Sequence, residues 1–261
     1  MFFFPTKVKP TFLGQIKSSG GHEGPSGITV SLETESGQAT ETITQEGGIF
    51  YFTDAVKPQA ATLSASHSRF SISKAIQIAL GPENILAYAP VVTGYQVTGR
   101  VEENGLPMAG VSVDLITQTG DLSDSVITGE DGNFIFNEVP AGIFVVKAFF
   151  EKDGAVFSIE PASQNIAVSN NDNNLGSAFR ITGLTASGLV QTKSGSGLPD
   201  VEIFIDGIKS GKTDDKGEFM LVNVKPGVHE ILAQKEDYDF VAVNVDINSN
   251  NPNIQAIRNV E

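Results

Sequence analysis

The sequence predicts an all-β protein of three tandem Ig-like or transthyretin-like β-sandwich modules. Short apolar runs alternate with polar residues at a period of two, which is typical of half-buried strands. The 27 Gly and 12 Pro fall mostly between these runs, as in chains rich in tight turns. A pattern of three landmarks also recurs about every 85 residues, a period too long for solenoid or propeller repeats. We therefore predict modules at 1–92, 93–182 and 183–261, arranged end to end as a rod on the order of 100 Å long.

The first landmark is a short strand centred on a glycine. The sequence reads FLGQI around Gly14, VTGRV around Gly99 and ASGLV around Gly188. These glycines are separated by 99 − 14 = 85 and 188 − 99 = 89 residues. The near-constant spacing predicts that this strand opens each module.

The second landmark is a turn that leads into an alternating strand. The turns read EGPSG, NGLPMAG and SGLPD, and each contains a proline that fixes φ. Apolar residues then occupy every second position, as in Val111, Val113 and Leu115. This alternation predicts a strand with one face towards the core.

The third landmark is a polar turn containing glycine, followed by an aromatic strand and a proline-glycine turn. It reads TQEGGIFYF, TGEDGNFIF and TDDKGEFML, and the first module keeps only Val56-Lys57-Pro58 of the last turn. Glycine suits hairpin positions with positive φ. The predicted structural turn residues are Gly48, Gly132, Gly217, Pro140, Gly142, Pro226 and Gly227.

The predicted boundaries contain no Ser/Gly-rich or Pro-rich linker, which indicates restricted hinges between modules. Residues 72–89 carry scattered apolar residues, but Gly81-Pro82 interrupts them, so we predict strand, turn and strand there rather than a helix.

The formal net charge of −14 argues against nucleic acid as a partner, because phosphate binding requires clustered Lys and Arg. The sequence has no cysteine, which excludes disulfides, thiolate catalysis and Cys-ligated metals. It has no apolar run of the roughly 20 residues that span a bilayer, no signal peptide and no Asn-x-Ser/Thr sequon. We therefore expect a soluble chain, or a soluble part of a longer one.

Acidic turns are the only weak metal candidates. Asp131, Asp214 and Asp215 lie in loops that resemble pieces of calcium sites, but none has the carboxylate spacing that six to eight oxygen ligands require. Asp, Asn and Gly are also ordinary turn residues, so we favour structural turns. The three histidines, His22, His67 and His229, are dispersed along the chain, which favours packing roles over a zinc site or a catalytic triad.

No motif for a nucleophile or a phosphate loop is present. There is no G-x-S-x-G sequence, and Gly195-Ser196-Gly197 lacks the third glycine of a dinucleotide loop. No carboxylate pair stands out as a glycosidase centre. The sequence predicts a protein that is not an enzyme and that uses no cofactor.

Several stretches resemble the Nodal modulator (NOMO) family, whose modules are similar to carboxypeptidase regulatory-like and carbohydrate-binding-like sandwiches. The resemblance rests on VTGYQVTGRVEENGLPM, EDGNFIFNEVPAG and HEILAQKEDYDF, in that order. It covers essentially the whole chain and is weakest in the first 90 residues.

This resemblance implies a non-enzymatic scaffold in the lumen of the endoplasmic reticulum. There the family acts with nicalin in a translocon for multipass membrane proteins, and it reaches the membrane through an anchor that this sequence lacks. Two alternatives remain. One is an array of carbohydrate-binding modules, for which Tyr51, Tyr88, Tyr95 and Tyr238 are sparse aromatic material; the other is an extracellular surface stalk or adhesin.

Overall fold

The computed structural model describes residues 12–19, 21–53, 59–80, 86, 89–170 and 172–260. Regular structure in these ranges is β-strand apart from one short 3-10 turn, Glu46–Gly48. The chain forms two compact units: Met1–Thr98 with Ile135–Phe144 and Asn165–Asn174, and Gly99–Phe134 with Val145–Gln164 and Leu175–Glu261. The Val56-Lys57-Pro58 turn, the Gly81-Pro82 interruption and Tyr88 lie outside the described residues.

The described residues of the first part of the chain contribute eight strands. Four of them form an antiparallel sheet in the order β4-β3-β6-β8, and β1 pairs with β5. The strands are β1 (Phe12–Gln15), β2 (Lys17–Ser18), β3 (Thr29–Thr34), β4 (Ala39–Ile43), β5 (Ile49–Phe52), β6 (Gln59–Ser66), β7 (Phe70–Ile72) and β8 (Ile76–Leu80). The described part of residues 72–89 thus contains strand residues, as predicted.

The middle part contributes nine strands, among which β11 and β12 form an antiparallel hairpin. They are β9 (Val91–Glu103), β10 (Leu106–Pro107), β11 (Ser112–Thr117), β12 (Leu122–Ile127), β13 (Asn133–Val139), β14 (Gly142–Phe149), β15 (Glu151–Lys152), β16 (Ala155–Glu160) and β17 (Gln164–Val168).

The last part contributes seven strands. Four form an antiparallel sheet in the order β20-β19-β22-β23, while β18 pairs antiparallel with β16 and with β21. They are β18 (Phe179–Gln191), β19 (Glu202–Ile205), β20 (Ile208–Lys212), β21 (Glu218–Val224), β22 (Gly227–Gln234), β23 (Val243–Ile247) and β24 (Ile257–Arg258).

Alternate residues of the predicted strands are buried, so the period of two in the sequence is the period of the core. In β21, for example, Phe219 and Leu221 are buried while Glu218, Met220 and Val222 are exposed. The predicted fold class, an all-β protein of tandem β-sandwich modules, is confirmed.

The glycine of each opening strand lies beneath a phenylalanine ring. A Cβ atom added at Gly14, Gly99 or Gly188 would overlap the ring of Phe50, Phe134 or Phe219, respectively. These three phenylalanines are buried, and each belongs to the strand that pairs with the glycine. Glycine and phenylalanine therefore recur together because the ring occupies the space of the missing side chain.

Both predicted module boundaries fall inside a continuous strand. β9 and β18 are each 13 residues long and run across positions 92/93 and 182/183. At its start β18 pairs in parallel with the end of β9, and its own end pairs in parallel with β24. The start of β9 likewise pairs in parallel with β2. The boundaries themselves stay a prediction.

Candidate interaction sites

The predicted turn glycines lie where the backbone leaves no room for a side chain. Gly48, Gly132 and Gly217 have φ values of 75°, 72° and 80°. The carbonyl of each accepts a hydrogen bond from the opening strand of its module, for example Val101 N–H to Gly132 O at 2.9 Å. A Cβ at Gly132 would lie 2.6 Å from the Val101 carbonyl oxygen, so the turn and the strand are in direct backbone contact.

The proline-glycine turns are more open. Pro140 and Gly142 are exposed, and Pro226 and Gly227 are half-buried. Gly142 and Gly227 have φ values of 158° and 151°, in the positive-φ range that favours glycine.

A buried threonine begins each third landmark, and the sequence analysis did not recognise its role. Thr44, Thr128 and Thr213 are 3%, 4% and 4% exposed. Each hydroxyl accepts one backbone N–H and donates to one backbone carbonyl, as Thr128 does with Val111 N (3.0 Å) and Met108 O (2.7 Å). Threonine recurs at this position in all three landmarks, and this recurrence is the sequence pattern that could have indicated its role.

The candidate calcium carboxylates are largely engaged in their own turns. Asp131 accepts hydrogen bonds from the backbone and the side-chain amide of Asn133 at 3.0 and 2.7 Å, which lower the pKa of Asp131. Asp214 accepts the backbone N–H groups of Lys216 and Glu218, while Asp215 is exposed. Within the described ranges, no three His, Asp or Glu side chains form a group suited to a metal ion.

His229 lies in a polar lock between two turns. Its Nδ1 is 2.7 Å from Asp206 Oδ2, and its Nε2 is 2.7 Å from the Lys225 carbonyl oxygen. Burial alone would lower the pKa of His229, but the bonds to Asp206 and Lys225 and the Asp206 charge outweigh it and raise the pKa. Because both partners are acceptors, only the doubly protonated imidazolium donates to both at once.

The other histidines and the tyrosines are placed apart from this lock. His67 stacks on Phe70 with ring centroids 4.3 Å apart, and its pKa is lowered by burial and by Arg69. His22 is exposed.

Of the tyrosines considered for glycan binding, Tyr95 is only 1% exposed and its hydroxyl donates to Asn170 Oδ1 at 2.7 Å, so it offers no aromatic platform. Tyr51 is 38% exposed, and Tyr238 is half-buried and stacks on Phe240.

A polar latch ties the end of β9 to the loop after β23. The carboxylate of Glu103 accepts the backbone N–H of Ser249 at 3.1 Å and its hydroxyl at 2.7 Å, and Ser249 is 1% exposed. Next to it, Arg180 Nε lies 2.8 Å from Glu102 Oε1. The Glu103–Ser249 contact joins residues on either side of the predicted boundary at 182, whereas the Arg180–Glu102 pair and the parallel pairing of β9 with β18 lie before it.

The face of β16, β18 and β21 that points away from the core is partly apolar. Val156, Met220 and Val222 are 52%, 61% and 70% exposed. They lie beside Thr185, Ser187 and Leu189 of β18, and Ser187 pairs with Met220. We call these six residues the outer face.

The part of the molecule that the structure describes contains no helix long and apolar enough to cross a membrane.

Comparisons with known proteins agree with this architecture. The family model described as BOS complex subunit NOMO1-like, second beta sandwich domain, matches residues 11–86 and 92–182. Human BOS complex subunit NOMO3 is 28% identical over 272 residues, which cover 94% of this chain and 22% of the relative. Mouse BOS complex subunit NOMO1 is 28% identical over 269 residues, covering 92% and 22%. The chain therefore spans about a fifth of the length of these relatives.

Among solved structures, the Bacillus anthracis TIE protein has a TM-score of 0.33 and 14% identity, covering 97% of this chain and 51% of its own. That likeness is too low to support an inference about function. The family model matches two separate stretches that together make up more than half of the chain. These matches show that the chain belongs to the BOS complex subunit NOMO1-like family.

Proposed function

We propose that this chain is a non-enzymatic scaffold segment of a BOS complex subunit, built from modules at 1–92, 93–182 and 183–261. It acts in the lumen of the endoplasmic reticulum, where its protein partners include a nicalin-type subunit of a translocon for multipass membrane proteins. The observation that carries the proposal is the family match over two consecutive stretches, because the relatives are named as subunits of that complex.

The contacts of the described residues support a structural role. The buried threonines, the turn carboxylates and the Glu103–Ser249 latch direct their polar groups at backbone partners within the same unit. Groups used in this way hold turns and strands in register, which is what a scaffold requires. The exposed apolar side chains of the outer face provide contact area for a protein partner.

Capture from microsomes tests the proposal. The chain, tagged and directed to the lumen, should recover nicalin-type and other BOS complex subunits in quantitative mass spectrometry. An unrelated β-sandwich protein of similar size and net charge, tagged and directed to the lumen in the same way, is the control, because shuffling the modules would divide β9 and β18. Equal recovery by the two proteins, or no recovery of these subunits by either, would contradict the proposal.

A further inference from the structure

Part of the outer face lines a groove in the second unit. The groove has a volume of about 640 Å³, and its lining includes Ser187 and Leu189 of β18 and Met220 of β21. Asp153 and Asp214 also line it. The strands beneath it are paired through their backbones, so this part of the lining is already formed in the free chain.

The apolar part of the surface continues beyond the groove. Val222 lies two residues beyond Met220 on the same side of β21, and Val156 lies beside Thr185, whose hydroxyl accepts the Val156 backbone N–H at 2.8 Å. Side chains this exposed lose apolar contact with water when a partner covers them, worth roughly 25 cal/mol per Å² of apolar area. Exposed apolar side chains on the two outer strands, with Thr185 and Ser187 of β18 between them, suit a chain segment rather than a single small group.

The charges around the groove are mainly negative. Asp153, Asp214 and Glu218 line it and are exposed. Lys212 also lines the groove, but its ammonium lies 2.6 Å from Asp200, so its charge is paired. A partner segment that combines an apolar stretch with Lys or Arg residues would match this lining.

We infer that the outer face binds an extended segment of a partner protein, with aliphatic side chains on Met220 and Val222 and basic side chains beside Asp153, Asp214 and Glu218 of the groove. The inference rests on the proposed function in assuming a protein partner. A second copy of this chain fits less well because each copy has a net charge of −14 and would bring its own acidic turns to the same surface.

A pair of labelled peptides tests this with the purified chain. The probe is Lys-Lys-Val-Thr-Val-Thr-Val-Lys-Lys, and the comparison peptide has Glu in place of every Lys. Fluorescence anisotropy should show at least tenfold tighter binding of the basic peptide, with an affinity that falls as salt increases. In the methyl spectrum, the basic peptide should shift the Met220 signal.

Matched variants locate the site. Val222→Arg should weaken binding of the basic peptide at least tenfold, whereas Val228→Arg should leave it unchanged, because Val228 is equally exposed at 70% but lies on β22. Asp153→Lys should also weaken binding.

Three results would overturn the inference: equal affinity for the two peptides, no binding of the basic peptide, or equal loss of binding in the two arginine variants. Self-association in sedimentation that Val222→Arg abolishes would instead identify a second copy as the occupant and overturn the basic segment. Microsome capture separates this inference from the proposed function. If Val222→Arg still recovers BOS complex subunits in full, the scaffold role stands and the outer face is not the contact.

Discussion

Gly188 and Phe219 illustrate how two recurring residues depend on each other. The sequence has an equivalent glycine and an equivalent phenylalanine in each of the three predicted modules. Only the structure shows that the phenylalanine ring lies over the glycine in every case. Close packing in protein interiors leaves no slack at such a contact, so even a methyl group must displace the ring or the strand.

Gly188→Ala should therefore destabilise the chain by about 1–3 kcal/mol, the usual cost of overpacking a core. Chemical denaturation of the purified chain measures the free energy of unfolding. Gly176→Ala is the matched control, because a Cβ there meets nothing within 4 Å and Gly176 does not have a positive φ. Equal losses of unfolding free energy in the two variants would show that the Phe219 ring does not require the space left by the absent side chain of Gly188.

The His229 lock should make stability depend on pH in a defined window. The folded-state pKa of His229 is raised. The stabilisation of the folded chain by protonated His229 is therefore fully present below about pH 6.5 and is lost as the pH rises through the folded-state pKa. The pKa of Asp206 is lowered by its bond to His229. The stabilisation of the folded chain by the Asp206 carboxylate is therefore lost only when the pH falls below about 3.9 and through the lowered folded-state pKa. The lock is therefore strongest between about pH 4 and 6.5.

Asp206→Asn should lower the melting temperature more at pH 5.5 than at pH 8.5. Asparagine tolerates the positive φ of 50° at this position, so the change removes charge without straining the turn. Asp215→Asn, at an exposed carboxylate, should show no such difference between the two pH values. A His229 pKa that is the same by NMR in the Asp206→Asn variant as in the unchanged chain would contradict the role assigned to Asp206.

At the scale of elements, the strands could be predicted and their partners could not. The alternation of Val111, Val113 and Leu115 follows from the burial of one face of the strand, whichever strand it pairs with. The local sequence is therefore enough to place the strand. One partner of Thr128 and one partner of His229 lie 20 or more residues away along the chain, at Met108 and Asp206, and no local pattern encodes such a pairing. The Glu103–Ser249 latch spans 146 residues and was missed for the same reason.

The continuity of β18 predicts how the chain resists proteolysis. Arg180 has a side chain that is 60% exposed, yet its backbone is paired with β9 and β16. Lys193 follows the strand in a turn, and Lys216 lies in the turn before β21. Trypsin requires a locally extended and unpaired backbone, so it should cut after Lys193 or Lys216 before it cuts after Arg180.

Mass spectrometry of a brief digestion identifies the order of cutting. Arg180 and Lys193 are both basic and near the same predicted boundary, so each serves as the control for the other. Early fragments that end at Arg180 would show that β18 is interrupted in solution.

At the scale of the whole molecule, periodicity predicted the all-β class and the repeated module, and the resemblance predicted the family. The proposed interaction surface could not be predicted from the sequence, because Met220 and Val222 look like ordinary members of an alternating strand. Their importance comes from their exposure beside Val156, which is distant in the sequence. The net charge of −14 was visible from the start, but only the structure shows which carboxylates line the groove with Met220.

The long strand β18 has a consequence for how such a protein can grow by gene duplication. Its first half is hydrogen-bonded to residues before 182 and its second half to residues after 183. A duplicated gene segment that began at the sequence repeat would divide this strand and leave half of its ladder without a partner. Cuts at the predicted boundaries would thus divide β9 and β18, and an inserted copy keeps every strand whole only if its ends fall in a turn.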